Sequence, residues 1–451
     1  MTKNHKHTHA QWSSRFGFIL AAVGSAVGLG NIWKFPYMVG TSGGAAFLIT
    51  YLFCIVLVGF PVMVAEWLIG RRGQQNASNS MRKVALESGR SSAWGWIGAM
   101  GIVSAFLILS FYSVIGGWAM SYIGQTAVGT FSGMDGKATG AFFEGFLANY
   151  PTLTVWHSIF MLITGLLIAL GVANGIEKAA KILMPLLGIC LVILVGYASM
   201  QPGFGQAINF LFNPDFSKIT GEVFLAALGH AFFTLSIGMG IMLSYGSYLG
   251  QDVNLLKSAG IVVLMDTVFA IMAGLAIFPI VFTHGLEAGS GPGLIFVTLP
   301  IAFGNMNGGS IIGLVFFVLV AFAAITSSIS LLEPVVEFLE ERTPLSRKMS
   351  TLVAATVIWA LGILALLSFN VLSDVKWFGL NIFDFLDYIT SKIMMPLGGL
   401  GVIIFVGWFM NQKLVQEEVR LGGGMFTAWQ ILSRVIAPIG VIIVFIFSLI
   451  L

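Results

Sequence analysis

Gly24-Ser25-Ala26-Val27-Gly28-Leu29-Gly30-Asn31 interrupts the first long apolar segment of the chain. Three glycines within seven residues, closed by a polar Asn, make a poor helix interior. Each glycine costs about 1 kcal/mol relative to alanine in a helix. In a bilayer the cost grows, because a backbone group released from the helix needs another partner. Thr234-Leu235-Ser236-Ile237-Gly238-Met239-Gly240 repeats the pattern further along. Paired glycine-interrupted spans in corresponding halves of a polytopic chain point to a binding site at the membrane midplane. The chain therefore reads as a carrier organised around two breaks.

Composition sets the class. The 451 residues are 57% hydrophobic and 9% charged, with mean hydropathy +0.94, which places the chain in a lipid bilayer. The net charge of +3 is small and no basic stripe suggests nucleic acid. Cys54 and Cys190 both lie in apolar runs and read as packed thiols rather than a disulfide. The polar N-terminus leads directly into long apolar segments, so no cleavable signal is expected. His5, His7 and His9 alternate in that polar segment, which reads as a solvated tail rather than a metal site.

Apolar segments fall at 15–37, 43–69, 95–124, 153–172, 177–199, 221–249, 257–283, 309–340, 348–368, 380–410 and 425–451. Each reaches the roughly 20 residues that a spanning helix needs. The expectation is an all-α polytopic membrane protein of about eleven transmembrane helices. Segment 291–304 is too short to span and is placed as a helical lid in an outer loop. Basic residues cluster after span 2 (Arg71, Arg72, Arg82, Lys83, Arg90) and after span 8 (Arg342, Arg347, Lys348). The positive-inside rule then makes the N-terminus cytoplasmic and, with an odd span count, puts the C-terminus outside. Residues 1–14 form the N-terminal tail, 15–199 a first five-helix repeat, 200–410 a second, inverted repeat with breaks in helices 1 and 6, and 411–451 an eleventh helix.

A broken helix presents free N–H groups at one half-helix end and free carbonyls at the other. That combination suits a zwitterionic amino acid together with sodium ions. Unwinding would free the carbonyls of Gly24, Ala26 and Val27, and Asn31 adds a side-chain oxygen; hard cations prefer such ligands. The same glycines also suit close helix packing, so at this level both readings stand. Thr234 supplies a hydroxyl and Phe233 an aromatic wall at the second break, and Thr326-Ser327-Ser328 supply three hydroxyls in span 8. Hydroxyls of this kind can equally bond back to their own helix. Glu66 and Asp266 are acids inside spans, where a charge costs at least ~2.5–3.5 kcal/mol. Glu66 reads as a brace for the free N–H groups of a broken helix. Asp266 reads as an ion ligand, with proton carrier as the competing role. Glu177, Glu333, Glu337 and Asp252 lie nearer span ends and are expected to face water.

From Gly24 through Asn31-Ile32-Trp33-Lys34-Phe35-Pro36 the sequence resembles the signature of the neurotransmitter:sodium symporter family. Gly59-Phe60-Pro61 leading to Glu66-Trp67, Phe232 to Ser236, and Ala323 to Ser328 extend the likeness, whose order fits from Trp12 to about residue 410. The likeness is strongest to bacterial eleven-span members that carry hydrophobic amino acids. The resemblance implies two Na+ sites. The first would use the Ala26 carbonyl, Asn31, Thr234 and the substrate carboxylate. The second would use the carbonyls of Gly24, Val27 and Ala323 with the hydroxyls of Thr326 and Ser327. The substrate carboxylate would also meet the N–H groups around Gly28 and the Tyr112 hydroxyl. Phe233 would close over the substrate, and Ser25, Ser236, Met239, Ser328 and Leu331 would shape its side-chain pocket. The partners implied are a hydrophobic amino acid, sodium ions and the lipid bilayer of a bacterial inner (plasma) membrane.

Several positions depart from the family pattern. Asp266 stands where relatives have an Asn ligand to the first sodium, and a built-in carboxylate could replace chloride. Lys34 replaces an Arg of the outer gate, with Asp384 as its expected partner and Asp387 second; a lysine lacks the bidentate fork. Near Trp12 the inner-gate Arg is missing; His9 stands there, with Glu341 as the expected acid. Gly175 and Pro185 bracket the inner end of span 5, where local unwinding would admit water to the second sodium. The expected activity is sodium-coupled symport of hydrophobic amino acids, independent of chloride. A proton-coupled carrier of the same fold is the alternative, and no nucleophile motif or His/Cys metal constellation supports an enzyme.

Overall fold

The computed structural model describes residues 10–287 and 293–450, without the side chains of 448–450. His5, His7 and His9, and residues 291 and 292 of the expected lid, lie outside the described residues. Among the described residues, nine helices are long and apolar enough to cross a bilayer. They are Ala45–Gly73, Ser92–Ala127, Tyr150–Ala169 and Val172–Ser199 (spans 2–5), and Leu255–Thr283, Gly309–Arg342, Arg347–Leu367, Ile382–Phe409 and Gly423–Phe447 (spans 7–11). Span 1 is a pair, Arg15–Ala26 and Gly30–Thr41, bent by 44° at its break. Span 6 is a second pair, Gly221–Thr234 and Ile241–Ser247, joined by the irregular segment 235–240. Neither half of span 6 is long enough to cross alone. The nine helices and the bent span 1 make ten candidate spans among the described residues, and the pair Gly221–Thr234 and Ile241–Ser247 stands where the eleventh was expected; both glycine clusters interrupt their helices.

Spans 3 and 8 have 36 and 34 residues and lie against one another through the middle of the molecule. At 1.5 Å per residue each is about 50 Å long, well beyond a bilayer core, so they run tilted. Their shared interior face carries Ser104, Ile108, Tyr112, Ala323, Ser327 and Leu331, all buried. Spans 4, 5 and 9 instead turn Leu162, Leu166, Ile189, Val192, Leu352 and Val357 outward. Such continuous exposed apolar faces fit contact with acyl chains.

The short helix Leu294–Asn305 carries the expected lid. Phe296 packs on Trp33, Trp118, Tyr122 and Phe143 at centroid distances of 5.2–6.4 Å, roofing the mouth that spans 1 and 3 form. Segment 411–451 holds more than one helix. Gln412–Val419 is a separate short helix before span 11, and its Glu418 binds the buried Arg71 at 2.7 Å. Cys54 and Cys190 are unpaired.

Candidate functional site

The two breaks meet in the core. In the first, Val27 N still reaches Val23 O at 2.7 Å, but Gly28 N turns to Ala26 O at 3.0 Å and Leu29 N to the Tyr112 hydroxyl at 3.5 Å. A side chain at Gly28 would place its Cβ 2.2 Å from Ser327 Oγ, so only glycine lets span 8 approach this backbone. In the second, Ser236, Gly238 and Gly240 have φ of +54°, +78° and +72°. Left-handed backbone is costly for a residue with a side chain. Ser236 is held there by donating its hydroxyl to Ser25 O at 3.0 Å, a bond that ties one break to the other. Glu66, fully buried, accepts Gly238 N at 2.7 Å. Its carboxylate sits where span 6 lacks a helical acceptor.

Asn31, Thr234 and Asp266 converge beside these breaks. Asp266 Oδ1 accepts from Asn31 Nδ2 and from Thr234 Oγ1, each at 2.8 Å. Thr234 Oγ1 lies 3.2 Å from Asn31 Oδ1, and Asn31 Oδ1 lies 3.4 Å from Gly28 N. Tyr51 donates its phenol to Asp266 Oδ2 at 2.7 Å, a role that its apolar context in span 2 did not reveal. Oxygens from spans 1, 6 and 7 thus crowd one buried point, a donor set suited to a hard cation. A second group of oxygens joins spans 1 and 8. Ser327 Oγ lies 3.5 Å from Gly24 O and 3.3 Å from Ser25 O, while Thr326 Oγ1 bonds Ala323 O at 3.0 Å. Val27, whose N–H bonds Val23 O, ends the first half-helix.

Between the breaks lies a small cavity of about 30 Å³, lined by Ser25, Ala26, Gly28, Leu29, Gly30, Ile108, Tyr112, Phe233, Ser236, Met239, Ser327 and Leu331. Two residues expected to meet the substrate, Ser328 in its side-chain pocket and Thr234 in the Na+ site that its carboxylate completes, do not line this cavity. Ser328 does not line it: its hydroxyl faces span 4, 2.8 Å from Thr164 Oγ1 and 2.9 Å from Ile325 O. Adjacent helical residues point about 100° apart, so Ser327 and Ser328 cannot both face span 1. Thr234 also does not line it, its hydroxyl being spent on Asn31 and Asp266. Ile108 was missed, although it stands one helical turn from Tyr112 on the same face.

The sodium:neurotransmitter symporter family matches residues 9–132 and 149–451, nearly the whole chain. The chain belongs to the sodium:neurotransmitter symporter family. It is 39% identical over 439 residues to the uncharacterized sodium-dependent transporter YhdH of Bacillus subtilis, covering 96% of each chain. A sodium-dependent transporter of Haemophilus influenzae, also named as uncharacterized, is 34% identical over the full length of both. Among solved structures, that of MhsT in complex with L-phenylalanine matches with a TM-score of 0.89 and 45% identity, over 97% of this chain and 99% of that one. The fold is therefore that of a symporter, a transporter class rather than an enzyme class.

Outward of the small cavity, this symporter has a larger one of about 340 Å³ whose walls include Trp33, Lys34, Tyr112, Phe233, Phe383, Asp384 and Asp387. Tyr112 and Phe233 line both and form the partition. The expected Lys34–Asp384 pair is not formed. The Lys34 ammonium instead sits 4.3 Å from the centre of the Phe233 ring, a cation–π contact. Asp384 bonds Asn381 Nδ2 at 2.8 Å, and Asp387 accepts from Ser391 Oγ at 2.8 Å. Asparagine caps the helix that carries Asp384, so that carboxylate is held on its own element.

The opposite end is closed by a denser network. Trp12 donates Nε1 to Tyr245 O at 3.0 Å and packs edge-on against Tyr245 and Tyr248. Glu341 accepts from Asn76 N at 2.7 Å and from Asn79 Nδ2 at 3.0 Å. Among the described residues of the N-terminal segment, Ser13 and Ser14 meet Glu177, which accepts Ser13 N at 2.7 Å, Ser13 Oγ at 2.6 Å and Ser14 Oγ at 2.9 Å, and pairs with Lys181. Glu177, Glu333 and Glu337 were expected to face water, yet all three are buried. Glu333 accepts from Tyr248 at 2.6 Å and pairs with Arg347; Glu337 accepts from Ser244 and, at 2.9 Å, from Ser247. Asp252 is exposed as expected. Span 5 is wound here: Gly175 lies in a π-helical turn, Val172–Glu177, and Pro185 sits inside the continuous helix Lys178–Ser199. Expected unwinding at Gly175 and Pro185 is thus absent from this conformation.

Proposed function

We propose that the protein imports hydrophobic and aromatic L-amino acids together with two sodium ions, by alternating access and without chloride. The observation that carries this reading is the group of Asn31, Thr234 and Asp266 oxygens set against the small cavity between the breaks. An amino-acid carboxylate at the Gly28 and Leu29 amides and the Tyr112 hydroxyl would lie beside that group and complete a cation shell. The second ion would take the Gly24, Val27 and Ala323 carbonyls with Thr326 and Ser327. Several relatives are named sodium-dependent, and MhsT holds L-phenylalanine, which supports both cargo assignments.

The cavity of about 30 Å³ is far smaller than the outer one of about 340 Å³. An aromatic side chain enters only as Phe233, Met239 and Ile108 move apart, and a flexible thioether is suited to that. The Asp266 carboxylate supplies the negative charge that a chloride ion would otherwise bring. Two sodium ions crossing ~100 mV with a tenfold gradient release about 7 kcal/mol, enough for roughly 10⁵-fold accumulation of a neutral substrate. With the basic loops after spans 2 and 8 inside, the N-terminus is cytoplasmic and the host membrane is the plasma membrane.

Uptake of a labelled amino-acid panel into proteoliposomes tests the reading. Phenylalanine, tryptophan and leucine should accumulate in sodium gluconate as well as in sodium chloride, and not in choline salts. Uptake driven by a pH gradient in sodium-free buffer would make Asp266 a proton site instead. Equal uptake of glycine and tryptophan would sink the hydrophobic selectivity.

A further inference from the structure

A groove of about 420 Å³ runs between spans 4 and 9 and shares no lining residue with the cavities at the two breaks. Its walls are Met161, Leu162, Leu166 and Leu352, and its floor is Gly165, Ala169 and Ala355. Small floor residues let the helices approach: a Cβ on Gly165 would lie 3.6 Å from Ala355 Cβ. One end is closed by Trp359, whose Nε1 donates to Ser158 Oγ at 2.9 Å. At the other end stands Lys348, the second residue of span 9.

Length, polarity and charge name the occupant. Positions 158 to 169 and 348 to 359 each cover eleven residue steps, about 16 Å of helix. That is close to half of a ~30 Å hydrocarbon core, the depth of one leaflet. Leu162, Leu166 and Leu352 are about 60% exposed, so the open side faces the bilayer. At the interfacial end, Arg347 is committed to Glu333 and Glu340. Lys348 is exposed and, among the described residues, joins no ion pair. An apolar slot one leaflet deep with an uncommitted ammonium at its mouth matches one lipid type: an acyl chain below an anionic headgroup.

We propose that the groove between spans 4 and 9 holds one anionic phospholipid, its chain along Gly165 and Ala355 and its phosphate at Lys348. The site would add to the hydrogen bonds that already join the two helices, between His157 Nε2 and Trp359 O, Trp359 Nε1 and Ser158 Oγ, and Arg347 Nε and Ile168 O. Trp359 at its inner end is a built-in reporter.

The full-length protein in nanodiscs would be titrated with phosphatidylglycerol or phosphatidylcholine carrying brominated acyl chains, and the quenching lost on Trp359→Phe assigned to Trp359. Brominated phosphatidylglycerol should quench Trp359 at roughly fivefold lower mole fraction, the worth of one lysine at an anionic surface. Lys348→Glu should abolish that preference, and Lys348→Arg should keep it. Ala355→Leu, which fills the floor, should reduce quenching by both lipids. Equal quenching by the two lipids in the unmodified protein, or a preference that survives Lys348→Glu, overturns the proposal. So does shielding of Trp359 from both lipids in a dimeric particle, which would give the groove to a second copy of the chain.

Discussion

The two breaks solve the same problem in opposite ways. The span 6 break turns inward on itself. Three residues take left-handed backbone, Glu66 captures the Gly238 amide, and Ser236 is spent on Ser25 O. The span 1 break is left open. Its Gly28 amide bonds Ala26 O at 3.0 Å within the turn and reaches Asn31 only at 3.4 Å, its Leu29 amide reaches Tyr112 at 3.5 Å, and its carbonyls at Gly24 and Ser25 meet Ser327 at 3.3–3.5 Å. A buried carboxylate holds one interruption, while the long hydrogen bonds of the other are weak and would be exchanged for cargo in the proposed mechanism.

Glu66→Ala should have the largest effect. It strips the buried Gly238 amide of its acceptor, at a cost of about 1–3 kcal/mol, so thermal unfolding in detergent should come at clearly lower temperature and uptake should vanish. An unchanged melting temperature would mean that the second break needs no brace. Asp266→Asn should leave stability nearly intact but raise the sodium concentration for half-maximal uptake by roughly tenfold, equivalent to about 1.4 kcal/mol, or make uptake chloride-dependent. Sodium titrations in chloride and gluconate decide this; identical curves for both proteins in both salts remove the ion-ligand role. Tyr112→Phe deletes one hydroxyl at the open break and should weaken substrate binding about three- to tenfold, read by scintillation proximity, with little change in melting temperature. Ser328→Ala is the smallest. Its hydroxyl faces Thr164, so substrate affinity should stay within about twofold, whereas a large loss would return Ser328 to the pocket.

Much of the site could be read along the chain because membrane physics penalises its parts. Glycines clustered in an apolar span, and acids such as Glu66 and Asp266 where a charge is expensive, are visible without any fold. Tyr51 and Ile108 gave no such signal, being ordinary residues of apolar helices. The ends were the least legible. Long side chains there choose among several partners, so Lys34 took the Phe233 ring over Asp384. In the N-terminal segment, Ser13 and Ser14 took Glu177, an acid that the sequence placed in water. Glu333 and Glu337 looked like water-facing residues at a span end until Tyr248, Ser244, Ser247 and Arg347 closed over them.

The order of spans, the two interruptions and the mid-span acids Glu66 and Asp266 were determined by sequence alone, because hydropathy and backbone satisfaction act locally. Only the tertiary structure decided which hydroxyl of Ser327 and Ser328 faces span 1, which acid receives Ser13, and that Tyr51 steadies Asp266. Those choices depend on helix rotation and on contacts between residues up to three hundred positions apart, and a directional hydrogen bond exists only once both partners have been brought within about 3 Å.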